Sequence, residues 1–113
     1  MTKYLILIAY EPAAWADADE PTQARFHQQH LAFHHSVGEH LLAGEALAGT
    51  DTATTLRGAE TLTDGPFAET AEMIGGFYLV RADDLDQVVA WCRLLPPEYA
   101  LEIRPCVQID GFD

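Results

Sequence analysis

Positive charge is scarce in this chain. Six Lys and Arg stand against eighteen Asp and Glu in 113 residues, a formal net charge of −12 at pH 7. No basic cluster is present to neutralise phosphates, which argues against direct binding to nucleic acid or to an anionic membrane. The acidity is spread along the chain and reads as a solubility feature. Cysteine is sparse too: Cys92 and Cys106 form neither a CxxC nor a zinc-ligand spacing. Both lie among apolar residues, as reduced core thiols in a reducing cytoplasm do. Long apolar runs are missing. The stretch from Tyr4 to Tyr10 stops at Glu11 and Pro12, too short for a membrane span or a signal h-region with its flanks. A soluble, cytoplasmic protein is expected. The chain also lacks GxSxG, P-loop, GxGxxG and HExxH patterns. Nucleophilic hydrolysis, nucleotide binding and dinucleotide cofactors are left without support, and no cofactor is expected.

What is present suits one small domain spanning residues 1–113, with 49% hydrophobic residues to build a core. Residues 3–10 read as a strand, apolar on both parities. Residues 11–20 read as a loop anchored by Trp15. Residues 21–38 read as a helix, with Pro21 in its first turn, Phe26, Phe33 and Val37 on one stripe, and Gly38 as its stop. Residues 41–48 form a second strand with a possible bulge at Gly44. Short strands at 52–57 and 60–63 flank an Arg57-Gly58-Ala59 turn. Another strand covers 75–81. A second helix covers 83–95, with Asp83 as N-cap and Pro96-Pro97 as terminator. A last strand covers 100–108, where Pro105 points to a sheet edge or a bulge.

The order β-α-β-(β)-β-α-β predicts an α+β, ferredoxin-like fold: an antiparallel sheet with two helices on one face. Two helices cover one face only, yet strands 3–10 and 75–81 are apolar on both. A second copy of the chain is the simplest cover, so a homodimer packed sheet to sheet is expected, with a cleft for a small-molecule ligand.

The run Thr63-Asp64-Gly65-Pro66-Phe67-Ala68-Glu69-Thr70 holds more chemistry than a turn needs. Gly65 and Pro66 suffice for the bend. Asp64, Phe67 and Glu69 are additional. Together with Glu72, Gly75-Gly76-Phe77-Tyr78, Asp83-Asp84-Leu85-Asp86 and Glu102-Ile103-Arg104-Pro105, this run resembles the DGPF group of the YCII-related proteins. The opening Lys3-Tyr4-Leu5-Ile6-Leu7-Ile8, Gly44-Glu45-Ala46-Leu47 and Thr52-Ala53-Thr54-Thr55 extend the resemblance to nearly the whole chain. It implies a ferredoxin-like domain that dimerises into an α+β barrel. Family members are mostly of undefined activity. Better-studied relatives carry a His and an Asp in a cleft taken as an active site, and some DGPF proteins resemble partners of extracytoplasmic-function sigma factors.

Asp64 has two readings. As a general acid/base in a cleft beside Phe67, its carboxyl would be pushed up by desolvation toward neutral pH. As a turn residue, it would accept a backbone N–H. Among His27, His30, His34, His35 and His40, an ideal helix puts His30 within the apolar stripe, His34 and His27 toward one edge, and His35 opposite. If Gly38 matches the glycine that ends the equivalent helix in the relatives, His27 takes the position of their cleft His. His27 or His30 paired with Asp64 is therefore the candidate catalytic pair. His30 and His34, spaced i and i+4, have no evident third metal ligand, and no metal is expected. Phe67, Glu69, Arg104, Glu45 and Tyr10 are candidate substrate contacts. Arg104 is suited to a carboxylate, or to holding an interface through Glu45 or Glu102. Strand tyrosines such as Tyr10 and Tyr78 more often pack than react. The resulting expectation is cofactor-independent, lyase- or isomerase-like acid/base chemistry on a small molecule near Asp64. The alternative is a non-catalytic binding or regulatory domain.

Overall fold

The alternation of Tyr4, Ile6 and Ile8 with Leu5 and Leu7 makes β1 (Thr2–Tyr10) a strand with two apolar faces. In the computed structural model, which describes residues 1–112, β1 is central to a four-stranded sheet. β2 (Leu41–Ala46), β5 (Met73–Ala82) and β6 (Ala100–Pro105) complete it in the order β2-β5-β1-β6, every pair antiparallel. This is the ferredoxin-like arrangement expected from the sequence. β3 (Thr54–Arg57) and β4 (Thr61–Asp64) form a separate two-stranded hairpin.

α2 (Glu20–Val37) and α3 (Leu85–Cys92) supply the helical layer. Phe33 and Val37 of α2, with Val88, Trp91 and Cys92 of α3, close over Ile6, Ile8, Tyr78 and Val80. Burial of each large side chain stabilises the fold by roughly 1.5–3 kcal/mol. The molecule is a plate of 47 × 40 × 18 Å. Its short dimension is two layers deep, so among the described residues no helix lies over the far face of the sheet.

Local chemistry moved several boundaries. α2 starts one residue early, at Glu20, with Pro21 in its first turn as expected, and Asp19 caps it: its carboxylate accepts the Thr22 N–H at 2.9 Å. At the other end Gly38 has φ 59° and stops the helix as expected. Asp84, one residue later than expected, caps α3 by accepting the Gln87 N–H at 2.9 Å. The Gln87 side chain in turn accepts from the N–H of Asp83, the residue before the cap, at 2.8 Å, and the two bonds together pin the start of the helix. Part of the expected 11–20 loop is a short helix, α1 (Pro12–Ala16), whose Trp15 ring packs 5.6 Å from Phe26. The last strand stops at Pro105, short of residue 108, and β6 is an edge strand, where a proline costs no ladder bond. The bulge expected at Gly44 lies between Leu41 and Ala43 instead. Gly44 serves a different purpose, in the cavity described next.

Candidate functional site

A cavity of about 950 Å³ opens between α2 and the β2–β5 half of the sheet. Its helical wall carries Phe26, His27, His30, Leu31 and His34. Tyr10, Trp15 and Tyr99 close one end, and residues 44–51 with 73–78 form the rest. Most of this lining is apolar. The described lining residues include no Lys or Arg; besides the phenols of Tyr10, Tyr78 and Tyr99, the titratable groups among them are the three histidines, Glu45 and Asp51.

Two close approaches shape the wall. Gly44 pairs with Tyr78 across β2 and β5. A Cβ on Gly44 would meet Tyr78 Cδ1 at 2.5 Å and Cε1 at 2.8 Å. Only glycine lets the Tyr78 ring lie across the neighbouring strand. Phe33 stacks on the ring at 4.4 Å and holds it in place. Gly75 falls in the irregularity of the β1–β5 pairing, and a Cβ there would meet the Tyr10 hydroxyl oxygen at 2.7 Å. Tyr10 lies 5.1 Å from Tyr99, ring to ring.

These placements build one hydrogen-bonded chain. His30 Nδ1 is 2.7 Å from the Tyr78 hydroxyl, and His30 Nε2 is 2.9 Å from the Tyr99 hydroxyl. The Tyr78 hydroxyl is also 3.0 Å from His34 Nε2. His30 is thus held at both ring nitrogens, and i, i+4 spacing on α2 brings His34 to the same hydroxyl. Burial pushes the Tyr78 phenol up to about 12. Burial, and then the neighbouring Tyr10, Tyr78 and Glu98, push Tyr99 up to about 12 as well. Both phenols are protonated at neutral pH. Burial, followed by the nearby charges of His34 and His27, lowers His30 below the usual histidine range. Its neutral form, one nitrogen donating and one accepting, is favoured. Such a group exchanges protons without carrying a lasting charge.

Glu98 anchors the segment that brings in Tyr99. Its carboxylate takes two hydrogen bonds from the Arg25 guanidinium, one of them at 3.2 Å from Nη1 to Oε1. The hydrogen bond from Arg25 holds the Glu98 carboxyl below its usual range.

Of the residues singled out from the sequence, His27, His30, Glu45 and Tyr10 line this cavity. Asp64, Phe67, Glu69 and Arg104 are not among its lining residues. Asp64 ends β4, exposed and opposite Thr54. The bend after it is pinned through Gly65, whose N–H donates to the Ala53 carbonyl at 2.7 Å and whose carbonyl accepts from Thr55 Oγ1 at 2.7 Å. Phe67 is 74% exposed, and its carbonyl accepts from Arg57 Nη2 at 2.6 Å. Glu69 is exposed. Arg104 lies 3.8 Å from Glu102 on β6, both largely exposed. Tyr99 had no signal in the sequence. Its hydroxyl meets a histidine 69 positions earlier, a contact that only the tertiary fold creates.

The family model of the YCII-related domain matches residues 2–105 of the chain. Over 66 residues, 52% of its length, the chain is 41% identical to an uncharacterized protein of Rhizobium meliloti (strain 1021). The match spans 53% of that relative, about half its length. No helix among the described residues is long and apolar enough to cross a membrane.

Proposed function

The chain belongs to the family of YCII-related domains, and on that premise we propose that it carries out cofactor-independent acid/base chemistry on a small molecule bound beneath α2. One observation carries this reading: His30, half-buried on the cavity wall, has each ring nitrogen on a tyrosine hydroxyl. A neutral imidazole between two protonated phenols is suited to moving a proton to or from a carbon acid or an enol, the lyase- or isomerase-like class. The apolar lining, Glu45, Asp51 and the absence of Lys and Arg among the described lining residues favour an uncharged ligand over an anion.

The proposed working form is a homodimer. Leu5 and Leu7 of β1 face Leu79 and Phe77 of β5 in register, on the face without helices, and all four are half-buried. Leu56 and Leu62 pair on the β3–β4 hairpin and are 58% and 68% exposed. An isolated two-stranded hairpin is marginal in water, and a second copy on the bare sheet face gives both surfaces cover. A reducing, cytoplasmic setting completes the proposal. Cys92 is free and buried, and burial pushes its thiol up to about 11, which leaves it inert; Cys106 is free but exposed, not the core thiol expected from its apolar neighbours.

A second reading, a binding or regulatory domain, is favoured by a different observation. None of the cavity histidines has a carboxylate hydrogen-bond partner among the described residues. The two readings separate in a proton-exchange experiment. Cyclohexanone and phenylacetone serve as enolisable, uncharged probes in D2O, with loss of the α-proton signal followed by NMR. The acid/base reading expects faster exchange with the wild-type chain than with His30→Asn. Binding of the ketones without faster exchange would leave the binding domain as the surviving reading.

A further inference from the structure

The His34–Tyr78–His30–Tyr99 chain has a property that no single member has: as long as Tyr78 donates within it, it can run in two directions, and the remaining arrangement, with Tyr78 accepting from both histidines, puts the Tyr78 proton out of the chain. Each phenol has one proton to donate, and each neutral imidazole has one N–H and one lone pair. In the first direction Tyr99 donates to His30 Nε2, His30 Nδ1–H donates to Tyr78, and Tyr78 donates to His34 Nε2. In the second, His34 Nε2–H donates to Tyr78, Tyr78 donates to His30 Nδ1, and His30 Nε2–H donates to Tyr99. All three links are at hydrogen-bond distance, 3.0, 2.7 and 2.9 Å from His34 to Tyr99.

We propose that these four side chains form a proton relay: the protonation state of exposed His34 sets its direction, and Tyr99 is its terminal acid at the cavity. With His34 neutral, the first direction is favoured. It contains two O–H···N bonds and one N–H···O bond, against one and two in the second, and the phenol is the better donor and the imidazole the better acceptor. Tyr99 then spends its proton on His30 and offers the cavity only lone pairs. With His34 protonated, both its nitrogens are donors. His34 must then donate to Tyr78. If Tyr78 accepted from His30 as well, its own proton would be left without a partner in the chain at a side chain only 7% exposed, a cost the second direction avoids. The second direction is therefore favoured, and the Tyr99 proton is freed to point into the cavity.

The transfer balances. His34 Nε2 gives its proton to the Tyr78 oxygen, Tyr78 gives its own to His30 Nδ1, His30 gives the Nε2 proton to the Tyr99 oxygen, and Tyr99 protonates the ligand. The chain ends in the first direction with His34 neutral, one proton delivered and no charge left on a buried group. Delivery to a ligand rests on the acid/base reading above; reversal of the chain does not.

The surroundings leave His34 as the control point. His27 on α2, Tyr10 on β1 and Asp51 line the same cavity, as does Glu45, which pairs with Phe77 across β2 and β5, and Tyr78 and Tyr99 are the direct partners. Arg25 lies over the Phe26 ring, 5.0 Å from its centroid, and is engaged by Glu98. His30 is shielded by burial and by its histidine neighbours from taking up a proton itself. His34 is exposed in the last turn of α2 and so is open to exchange with solvent.

The test needs no ligand. Histidine ring nitrogens are followed by 15N NMR in the full chain while pH is lowered through the titration of His34. The His30 proton is expected to move from Nδ1 to Nε2 with the midpoint of His34. The Tyr78→Phe variant keeps the ring over Gly44 and the stack on Phe33 but cuts the relay. There His34 should still titrate while the His30 tautomer no longer follows it. A His30 that keeps one tautomer throughout in the wild type, or follows His34 equally well in Tyr78→Phe, would overturn the relay. Failure of the ketone exchange with an intact tautomer switch would overturn only the acid/base reading.

Discussion

Gly44→Ala is the sharpest structural test of the cavity wall. The added Cβ would stand 2.5 Å from Tyr78 Cδ1 and 3.3 Å from the Phe77 carbonyl. The ring cannot swing away freely, because Phe33 stacks on it at 4.4 Å and two histidines bond its hydroxyl. Forcing a methyl into such a contact costs about 1–3 kcal/mol. Displacing the hydroxyl costs about 1 kcal/mol for each of two hydrogen bonds. Replacing glycine in the unfolded chain returns about 0.4–1 kcal/mol. The net loss is about 2–4.6 kcal/mol, and a chain of this size loses about 4 °C of Tm per kcal/mol. Thermal unfolding followed by circular dichroism should therefore show Tm lowered by roughly 8–18 °C. A double-mutant cycle isolates the cause. In a Tyr78→Val background the space over Gly44 is empty, and the same Gly44→Ala change should be neutral or slightly stabilising. An unchanged Tm for Gly44→Ala alone, or an equal loss in both backgrounds, would refute the claim that Gly44 exists to seat Tyr78.

Three further outcomes are expected. Asp84→Ala removes the cap of α3 and should lower stability by about 1 kcal/mol, read as a fall of about 4 °C in Tm. His30 has a folded pKa below its unfolded value of about 6.5, so the unfolded chain binds the extra proton and stability falls as pH drops below about 6.5 toward the folded pKa. Denaturant titrations should show that slope, at most about 1.4 kcal/mol per pH unit, in the wild type and its loss in His30→Gln. Leu7→Asp puts a charge at the centre of the bare sheet face and should convert a dimer to a monomer in light scattering, while a wild-type chain that is itself monomeric would remove the homodimer from the account.

Much of the fold was legible because its determinants are local. Alternation in β1 and the Phe26-Phe33-Val37 stripe fix the kind and order of the elements before any tertiary contact forms, whereas α3 ends at Cys92, ahead of the Pro96-Pro97 stop that the sequence suggested. Boundaries slipped where a side chain outside the apolar pattern decided them, as Asp19 and Asp84 do. The site was legible by halves. Helical geometry placed His30 within the buried stripe and His34 at its edge, but strand tyrosines pack in most proteins, so Tyr78 carried little signal. Its reach depends on Gly44, which in sequence resembles a bulge glycine. Tyr99 was illegible, since it enters through a segment held by the Arg25–Glu98 pair, whose members are 73 positions apart. The Asp64-Gly65-Pro66-Phe67 run, conspicuous in sequence, builds a pinned bend at the end of the hairpin.

The most direct test of the central claim is the rate of α-proton exchange of cyclohexanone in D2O, measured side by side for the wild type, His30→Asn, Tyr99→Phe and Asp64→Asn. Exchange should be lost in the His30 and Tyr99 variants and kept in Asp64→Asn, because His30 and Tyr99 line the cavity and Asp64 does not. Exchange that survives in His30→Asn but disappears in Asp64→Asn would contradict it and move the chemistry to the hairpin.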